Sequence, residues 1–80
     1  MTVTVLLFAS YADALGRSAL ELALPADATV ADVMAGLASF PGADRLPPAP
    51  LVAVNERYAT REQVLRPGDE VALIPPVAGG

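Results

Sequence analysis

The sequence lacks the side chains that most often build active sites and metal sites. Its 80 residues include no cysteine, no histidine and no tryptophan. Without cysteine there is neither a disulfide framework nor a thiolate metal site. Without histidine the chain lacks the commonest general base and the commonest transition-metal ligand, which excludes serine-type and cysteine-type catalytic triads. We therefore expect no bound metal, no bound cofactor and no catalytic centre made of side chains.

Positive charge and long hydrophobic runs are also scarce. Five arginines stand against nine acidic residues, giving a formal net charge of −4. This balance disfavours nucleic acids and anionic membranes as partners, because both attract basic patches. No apolar run reaches about eighteen residues, the length of a membrane span, and the first residues alternate like a strand instead of forming a basic leader. We expect a cytoplasmic protein that binds neither nucleic acid nor membrane.

The hydrophobic content of 54% is ample for a core, and the length allows one domain. Between Thr29 and Pro41 the apolar residues recur at the spacing of one helix face, and Asp32 completes an acidic variant of the capping box. Pro67-Gly68 matches the centre of a type II turn. The other predicted elements are strands over 2–8, 18–24, 51–55 and 70–74, a short return strand at 58–59, a short helix over 10–16 capped by Ser10 and stopped by Gly16, and a single helical turn over 61–65.

This order of elements predicts an α+β fold of the β-grasp (ubiquitin-like) type, a mixed sheet with one main helix packed on one face. Residues 1–74 are expected to form this domain, and residues 75–80 an extended C-terminal functional tail. The proline-rich stretch 41–50 is expected to be a rigid surface loop inside the domain.

Strand alternation predicts that the second face of the sheet is apolar as well. Side chains one position out of step with the helix-facing residues point to the opposite face. Little else in so short a chain can cover that face, so an exposed apolar patch is expected there, and such patches mark interfaces. The alternative is a bulge or loop that shields it. The predicted patch consists of Leu6, Phe8, Ala72 and Ile74, with Tyr58 either joining it or standing exposed at the sheet edge.

The last six residues read Pro-Pro-Val-Ala-Gly-Gly and are predicted to form an extended segment that reaches into a partner protein. Pro75 and Pro76 fix φ and favour an extended start. Six extended residues reach roughly 20 Å, enough to enter the active site of a neighbouring protein. Gly79 and Gly80 have no side chains and so can pass through a narrow tunnel. The alternative is an inert end, because chain termini are often small and disordered.

The carboxyl group of Gly80 is the one group in this tail with useful chemistry. It is ionised at neutral pH and is then a poor electrophile. Another enzyme must activate it, for instance as an acyl-adenylate made from ATP. The activated group can accept sulfide to become a thiocarboxylate, or it can pass to an amine.

The C-terminal run from Leu65 to Gly80 resembles the end of the small subunit of molybdopterin synthase, a ubiquitin-like sulfur carrier. The resemblance lies in Gly-Asp-Glu-Val followed by Pro-Pro-Val-Ala-Gly-Gly. It extends over essentially the whole chain. The other matching segments are Val5-Leu6-Leu7-Phe8-Ala9, followed by Leu15-Gly16, and Val52-Ala53-Val54-Asn55.

The resemblance implies a role in molybdenum cofactor biosynthesis. An ATP-dependent activating enzyme would adenylate Gly80, and a sulfurtransferase would convert it to a thiocarboxylate. The tail would then enter the active site of the large synthase subunit, in an assembly of two small and two large subunits, and give sulfur to a cyclic pyranopterin precursor. Gly80 is thus the expected reacting residue. The expected partner-binding residues are Phe8, Tyr58, Ile74, Pro75, Pro76, Val77, Ala78 and Gly79.

Three other functions remain open from the residues alone. The chain could be a protein modifier joined through Gly80 to lysines of other proteins, because the same activated carboxyl group serves both purposes. It could be a sulfur carrier of another pathway, such as that of thiamine. It could also be a plain binding module of ubiquitin-like fold in which the tail is inert.

Overall fold

A five-stranded mixed sheet is the frame of the molecule, and the structure, a computed structural model, describes residues 1–76. The strands lie in the order β2-β1-β5-β3-β4. β1 and β5 are parallel, and the other neighbouring pairs are antiparallel. The predicted α+β, β-grasp architecture is confirmed. The elements are β1 (Thr2–Leu7), α1 (Ser10–Leu15), β2 (Ala19–Ala23), α2 (Val30–Leu37), a short 3₁₀ helix (Ala43–Arg45), β3 (Leu51–Val54), β4 (Arg57–Tyr58) and β5 (Glu70–Ile74).

The core lies between the sheet and α2. Alternate residues of the strands point toward the helix, and the apolar stripe of α2 packs against them. Within residues 1–76 the buried side chains are apolar apart from the hydroxyl group of Tyr11, which is hydrogen-bonded. The side chains with at most 1% exposure are Val3, Val5, Tyr11, Val30, Val33, Leu37, Val71 and Leu73.

The predicted cap of α2 is present. The Thr29 N–H donates to Oδ2 of Asp32 at 2.8 Å, as a capping box requires. The predicted helical turn over 61–65, in contrast, is wrong. The carbonyl of Gln63 accepts a hydrogen bond from the Val30 N–H at 3.0 Å, so this segment satisfies the otherwise unpaired amides at the start of α2. A long-range backbone contact therefore overrides the local helical preference.

The predicted Ser10 cap is also wrong, because α1 begins at Ser10 and Ala9 takes the cap position. Ala9 has φ 48° and ψ −119°, the angles of the first central residue of a type II′ turn. The Tyr11 N–H donates to the Phe8 carbonyl at 3.0 Å and closes this turn. A tight turn, not a side-chain cap, starts the helix. Gly16 ends α1 as predicted, with φ 70°.

Two further turns fix the strands around the site. β3 and β4 are joined by Asn55 and Glu56, both with positive φ, which defines a two-residue type I′ hairpin. Gly68 has φ 82°, and the Asp69 N–H donates to the Arg66 carbonyl at 3.1 Å, consistent with the predicted type II turn. These turns set the register of β3, β4 and β5.

Among residues 1–76, no helix has the length and apolar character needed to cross a membrane.

Candidate functional site: the outer sheet face and the tail

The sheet face directed away from α2, here called the outer face, carries a continuous apolar row. Across four neighbouring strands Leu6 lies opposite Ala72, Ala72 opposite Ala53, and Ala53 opposite Tyr58. Residues paired in this way share a face of the sheet and contact one another. The alternation that buries one set of side chains under α2 therefore assembles a second apolar surface on the other side.

A shallow groove of about 320 Å³ lies on this outer face. The four residues of the predicted patch lie together along it, and Tyr58 joins them. Phe8 is 46% exposed and Tyr58 is 75% exposed, so neither is needed to fill the core. No loop among the described residues shields the groove. The lining residues are Leu6, Phe8, Ala53, Glu56, Tyr58, Glu70, Ala72 and Ile74.

Ala53 and Glu56 are lining residues that the sequence reasoning missed. Ala53 stands between the buried Val52 and Val54, so strict alternation along β3 was the signal that would have found it. Glu56 lines the groove because it belongs to the type I′ hairpin, and no local sequence pattern predicts that position.

The groove has an apolar end and an acidic end. β1 and β5 run in parallel, so both strands finish at the same edge of the sheet, and the Phe8 N–H donates to the Leu73 carbonyl at 3.2 Å. Phe8 and Ile74 form the apolar end there. Glu70, at the start of β5, lies at the opposite end. The tail leaves β5 beside the apolar end.

Pro75 and Pro76 are the last residues that the structure describes. Pro75 is partly buried and Pro76 is exposed. Neither has a backbone N–H, so the sheet ladder ends at Ile74. The remaining predicted tail residues, Val77, Ala78, Gly79 and Gly80, lie outside the described residues.

Asp69, next to the groove residue Glu70, is engaged in the fold. Its Oδ1 accepts from Nδ2 of Asn55 at 2.9 Å, and its Oδ2 accepts from the Arg66 N–H at 2.8 Å. The Glu70 N–H donates to Oδ1 of Asn55 at 3.0 Å. This network ties the type II turn to the hairpin and leaves the Glu70 side chain available to the groove.

The described residues offer binding surface but little reactive chemistry. Residues 1–76 contain no cluster of three or more acidic side chains placed to hold a metal ion. Burial raises the pKa of the Tyr11 hydroxyl above its ordinary value of 10.0, while the Arg61 charge opposes that rise. The same hydroxyl donates to the Pro47 carbonyl at 3.0 Å, so Tyr11 anchors the proline-rich loop. Among the described residues, the apolar groove of the outer face is therefore the candidate binding surface.

The chain is similar to known proteins over nearly its whole length. Residues 5–80 match the model of the ThiS family. The chain is 33% identical to the molybdopterin synthase sulfur carrier subunit of Arabidopsis thaliana, over 98% of this chain and 82% of that protein.

Two solved structures share the fold. SAMP1 of Haloferax volcanii, a small archaeal modifier protein, superposes with a TM-score of 0.84 at 30% identity, over the full length of both chains. A chain from the complex of subunits 1 and 2 of the molybdopterin-converting factor of Helicobacter pylori has a TM-score of 0.72 at 22% identity, again over both full lengths, which supports the fold alone. Because the family match covers nearly the whole sequence, the chain belongs to the ThiS family.

Proposed function

We propose that this chain is the sulfur carrier subunit of a cytoplasmic molybdopterin synthase. In this role Gly80 carries a thiocarboxylate whose sulfur goes to a cyclic pyranopterin precursor in molybdenum cofactor biosynthesis. The observation that carries the proposal is the position of the apolar groove, which ends beside the first residue of the tail. The similarity to proteins named as sulfur carrier subunits supports sulfur as the cargo.

The outer face would dock the large synthase subunit. Phe8, Tyr58 and Ile74 offer apolar side chains that are not filling the core, and a partner that covers them gains hydrophobic free energy. Pro75 and Pro76 restrict the base of the tail, so less conformational entropy is lost when the partner captures it. Docking and delivery are thus coupled, because the tail starts where the contact surface ends.

The chemistry resides in the carboxyl group of Gly80 and in the partner enzymes. An activating enzyme forms an acyl-adenylate from this carboxylate and ATP and releases pyrophosphate. A sulfurtransferase system supplies sulfide, which displaces AMP and leaves a thiocarboxylate. Its sulfur then forms a bond to a carbon of the precursor in the large subunit, and the oxygen that this carbon carried leaves as its C–O bond breaks. Hydrolysis of the acyl–sulfur bond by water leaves the sulfur on the precursor and regenerates the Gly80 carboxylate. A dithiolene holds two sulfur atoms, so two loaded carriers serve each product, as an assembly of two small and two large subunits allows.

Intact-mass measurement of the chain purified from its native cell tests this proposal. We expect a species in which one oxygen is replaced by one sulfur, and fragmentation should locate the change at Gly80. A chain that lacks Gly80 serves as the matched control and should show no such species. A native chain found only as the carboxylate, in cells actively making molybdopterin, would contradict the proposal.

A second candidate, a protein modifier, is favoured by the likeness to the Haloferax volcanii modifier protein. In that case digests of cellular protein contain lysine side chains joined to the Gly80 carboxyl group. Abundant isopeptides without the sulfur-bearing species would favour the modifier. Loss of thiamine synthesis, but not of molybdopterin, after gene deletion would instead favour a thiamine-pathway carrier.

A further inference from the structure

A second groove, here called the arginine groove, lies between β4 and the segment 63–66. It encloses about 580 Å³ and is lined mainly by polar residues. It is separate from the outer-face groove, and Tyr58 is the one residue that the two have in common. The lining residues are Val54, Asn55, Arg57, Tyr58, Gln63, Val64, Arg66 and Asp69.

The register of the β3–β4 hairpin places this groove on the other side of the sheet edge. Arg57 pairs with Val54, whose side chain is buried beneath α2, so Arg57 points to the α2 side. Tyr58 pairs with Ala53 and points to the outer face. A partner on the outer face and a second partner in the arginine groove therefore meet opposite sides of β4.

The groove is positively charged on an acidic protein. Arg57 and Arg66 contribute two positive charges, and Asp69 contributes one negative charge. Both carboxylate oxygens of Asp69 already accept hydrogen bonds within the fold. The chain as a whole carries −4. The local charge favours an anionic ligand, while the total charge opposes a polyanion such as nucleic acid.

The groove also has an open strand edge and an exposed apolar side chain. The Ala59 N–H donates to the Val52 carbonyl at 2.9 Å, and Val54 and Arg57 form the next hydrogen-bonded pair. Since such pairs alternate in an antiparallel ladder, the backbone N–H and C=O of Tyr58 point away from β3. Within residues 1–76 no strand pairs with that edge of β4. Val64, across the groove, is 54% exposed.

We propose that the arginine groove binds an extended acidic peptide segment of a partner protein. The segment adds to the free edge of β4 through the backbone of Tyr58, the mode known as β-augmentation. Its carboxylates pair with Arg57 and Arg66, and an intervening apolar side chain covers Val64. A second copy of this chain fits less well, because pairing at this edge would bring the arginines of both copies together.

This interaction goes beyond the sulfur-carrier role and is compatible with it. Arg66 lies just before β5, whereas the tail begins just after it. The five residues of β5 span about 17 Å at the rise of an extended strand, and the turn that follows Arg66 and the start of the tail lie at opposite ends of this strand. A segment held in the arginine groove leaves the apolar groove open on the other side of β4.

An amide NMR titration of the isotope-labelled full chain tests the proposal. The probe is a capped Val-Glu-Val-Glu-Val peptide, and the matched probe has lysine in place of glutamate. We expect the acidic peptide to shift the amide signals of Arg57, Tyr58, Val64 and Arg66, and to leave those of Phe8 unchanged. The lysine peptide should bind at least about tenfold more weakly.

Charge-matched variants separate a defined groove from general charge attraction. Arg57→Gln with Arg66→Gln should weaken binding of the acidic peptide by about tenfold or more. Arg17→Gln with Arg45→Gln changes the net charge equally at exposed positions outside both grooves and should leave binding unchanged. The amide spectrum of each variant verifies its fold. Equal weakening in both pairs, shifts confined to the outer face, self-association of the chain without peptide, or the absence of any shift would overturn the proposal.

Discussion

The two faces of the sheet are formed by the same strands but differ in how deeply their side chains are buried. Along β5, Val71 and Leu73 are fully buried under α2. Ala72 and Ile74, which alternate with them, are only partly buried on the outer face. A sheet with one covered face normally alternates apolar and polar residues, but in the C-terminal halves of β1 and β5 both sets are apolar. This second apolar set lies outside the core that α2 covers. Under the proposed function it is the surface that a partner covers, and the tail begins beside it.

The largest expected contrast is between adjacent residues of β5. Leu73→Ala removes a fully buried side chain and should lower the free energy of unfolding by about 2–5 kcal/mol. Ile74→Ala trims a partly exposed side chain on the other face and should cost about 1 kcal/mol or less. Urea unfolding of both variants measures the difference. Equal losses would mean that the outer face is as important to the isolated fold as the core.

Affinity for the large subunit, unlike folding stability, should depend mainly on the side chains of the outer face. Phe8→Ala should keep its fold yet weaken the complex by roughly 2 kcal/mol, about thirtyfold in Kd, because an exposed aromatic anchor is lost. The exposed Val64→Ala, on the far side of β4, is the control and should bind normally. Calorimetry gives both affinities. If Phe8→Ala and Ile74→Ala both bind like the unmodified chain, the outer face is not the docking surface.

A smaller effect is expected at the turn that precedes α1 and positions Phe8. Ala9 holds a positive φ of 48°, in a region that favours glycine. Ala9→Gly relieves this strain and should raise the free energy of unfolding by about 1 kcal/mol. Thermal unfolding would detect the change, and a loss of stability would mean that the turn is unstrained.

An effect of similar size and opposite sign is expected at neutral pH on the buried side, at Tyr11. Tyr11→Phe leaves the Pro47 carbonyl without its hydroxyl partner and should cost about 1 kcal/mol. The pKa of Tyr11 is raised in the folded state, so above pH 10.0 the unfolded state loses this proton first and stability falls as pH rises. The variant should lack that contribution. Unfolding curves at neutral and alkaline pH test both statements, and an identical alkaline decline in the two proteins would contradict the second.

The parts of the structure that the sequence predicts are those governed by local period and turn chemistry. The alternation in β1 and β5, the stripe of α2 and the Pro67-Gly68 turn depend on residues close together in the chain. One corrected part depends on a distant partner, because the 61–65 segment meets the start of α2. The other is local, since a type II′ turn replaces the Ser10 cap, and alanine at its first central position does not indicate that turn because glycine is the usual residue there.

The two grooves also differ in how far their lining residues can be predicted from local sequence. Leu6, Phe8, Ala72 and Ile74 could be placed on one face because alternation along two strands suffices. Arg57 and Arg66 are brought together only by the hairpin and the crossing segment, so their common groove has no signature in the sequence.

Deletion of Gly80 tests the central claim most directly, because it separates docking from delivery. The outer face of the shortened chain is unchanged, so it should bind the large subunit with nearly normal affinity. It should nevertheless support no molybdopterin formation in a reconstituted reaction with the activating enzyme, ATP and a sulfur source. Molybdopterin formation at the level of the full-length chain would contradict the account.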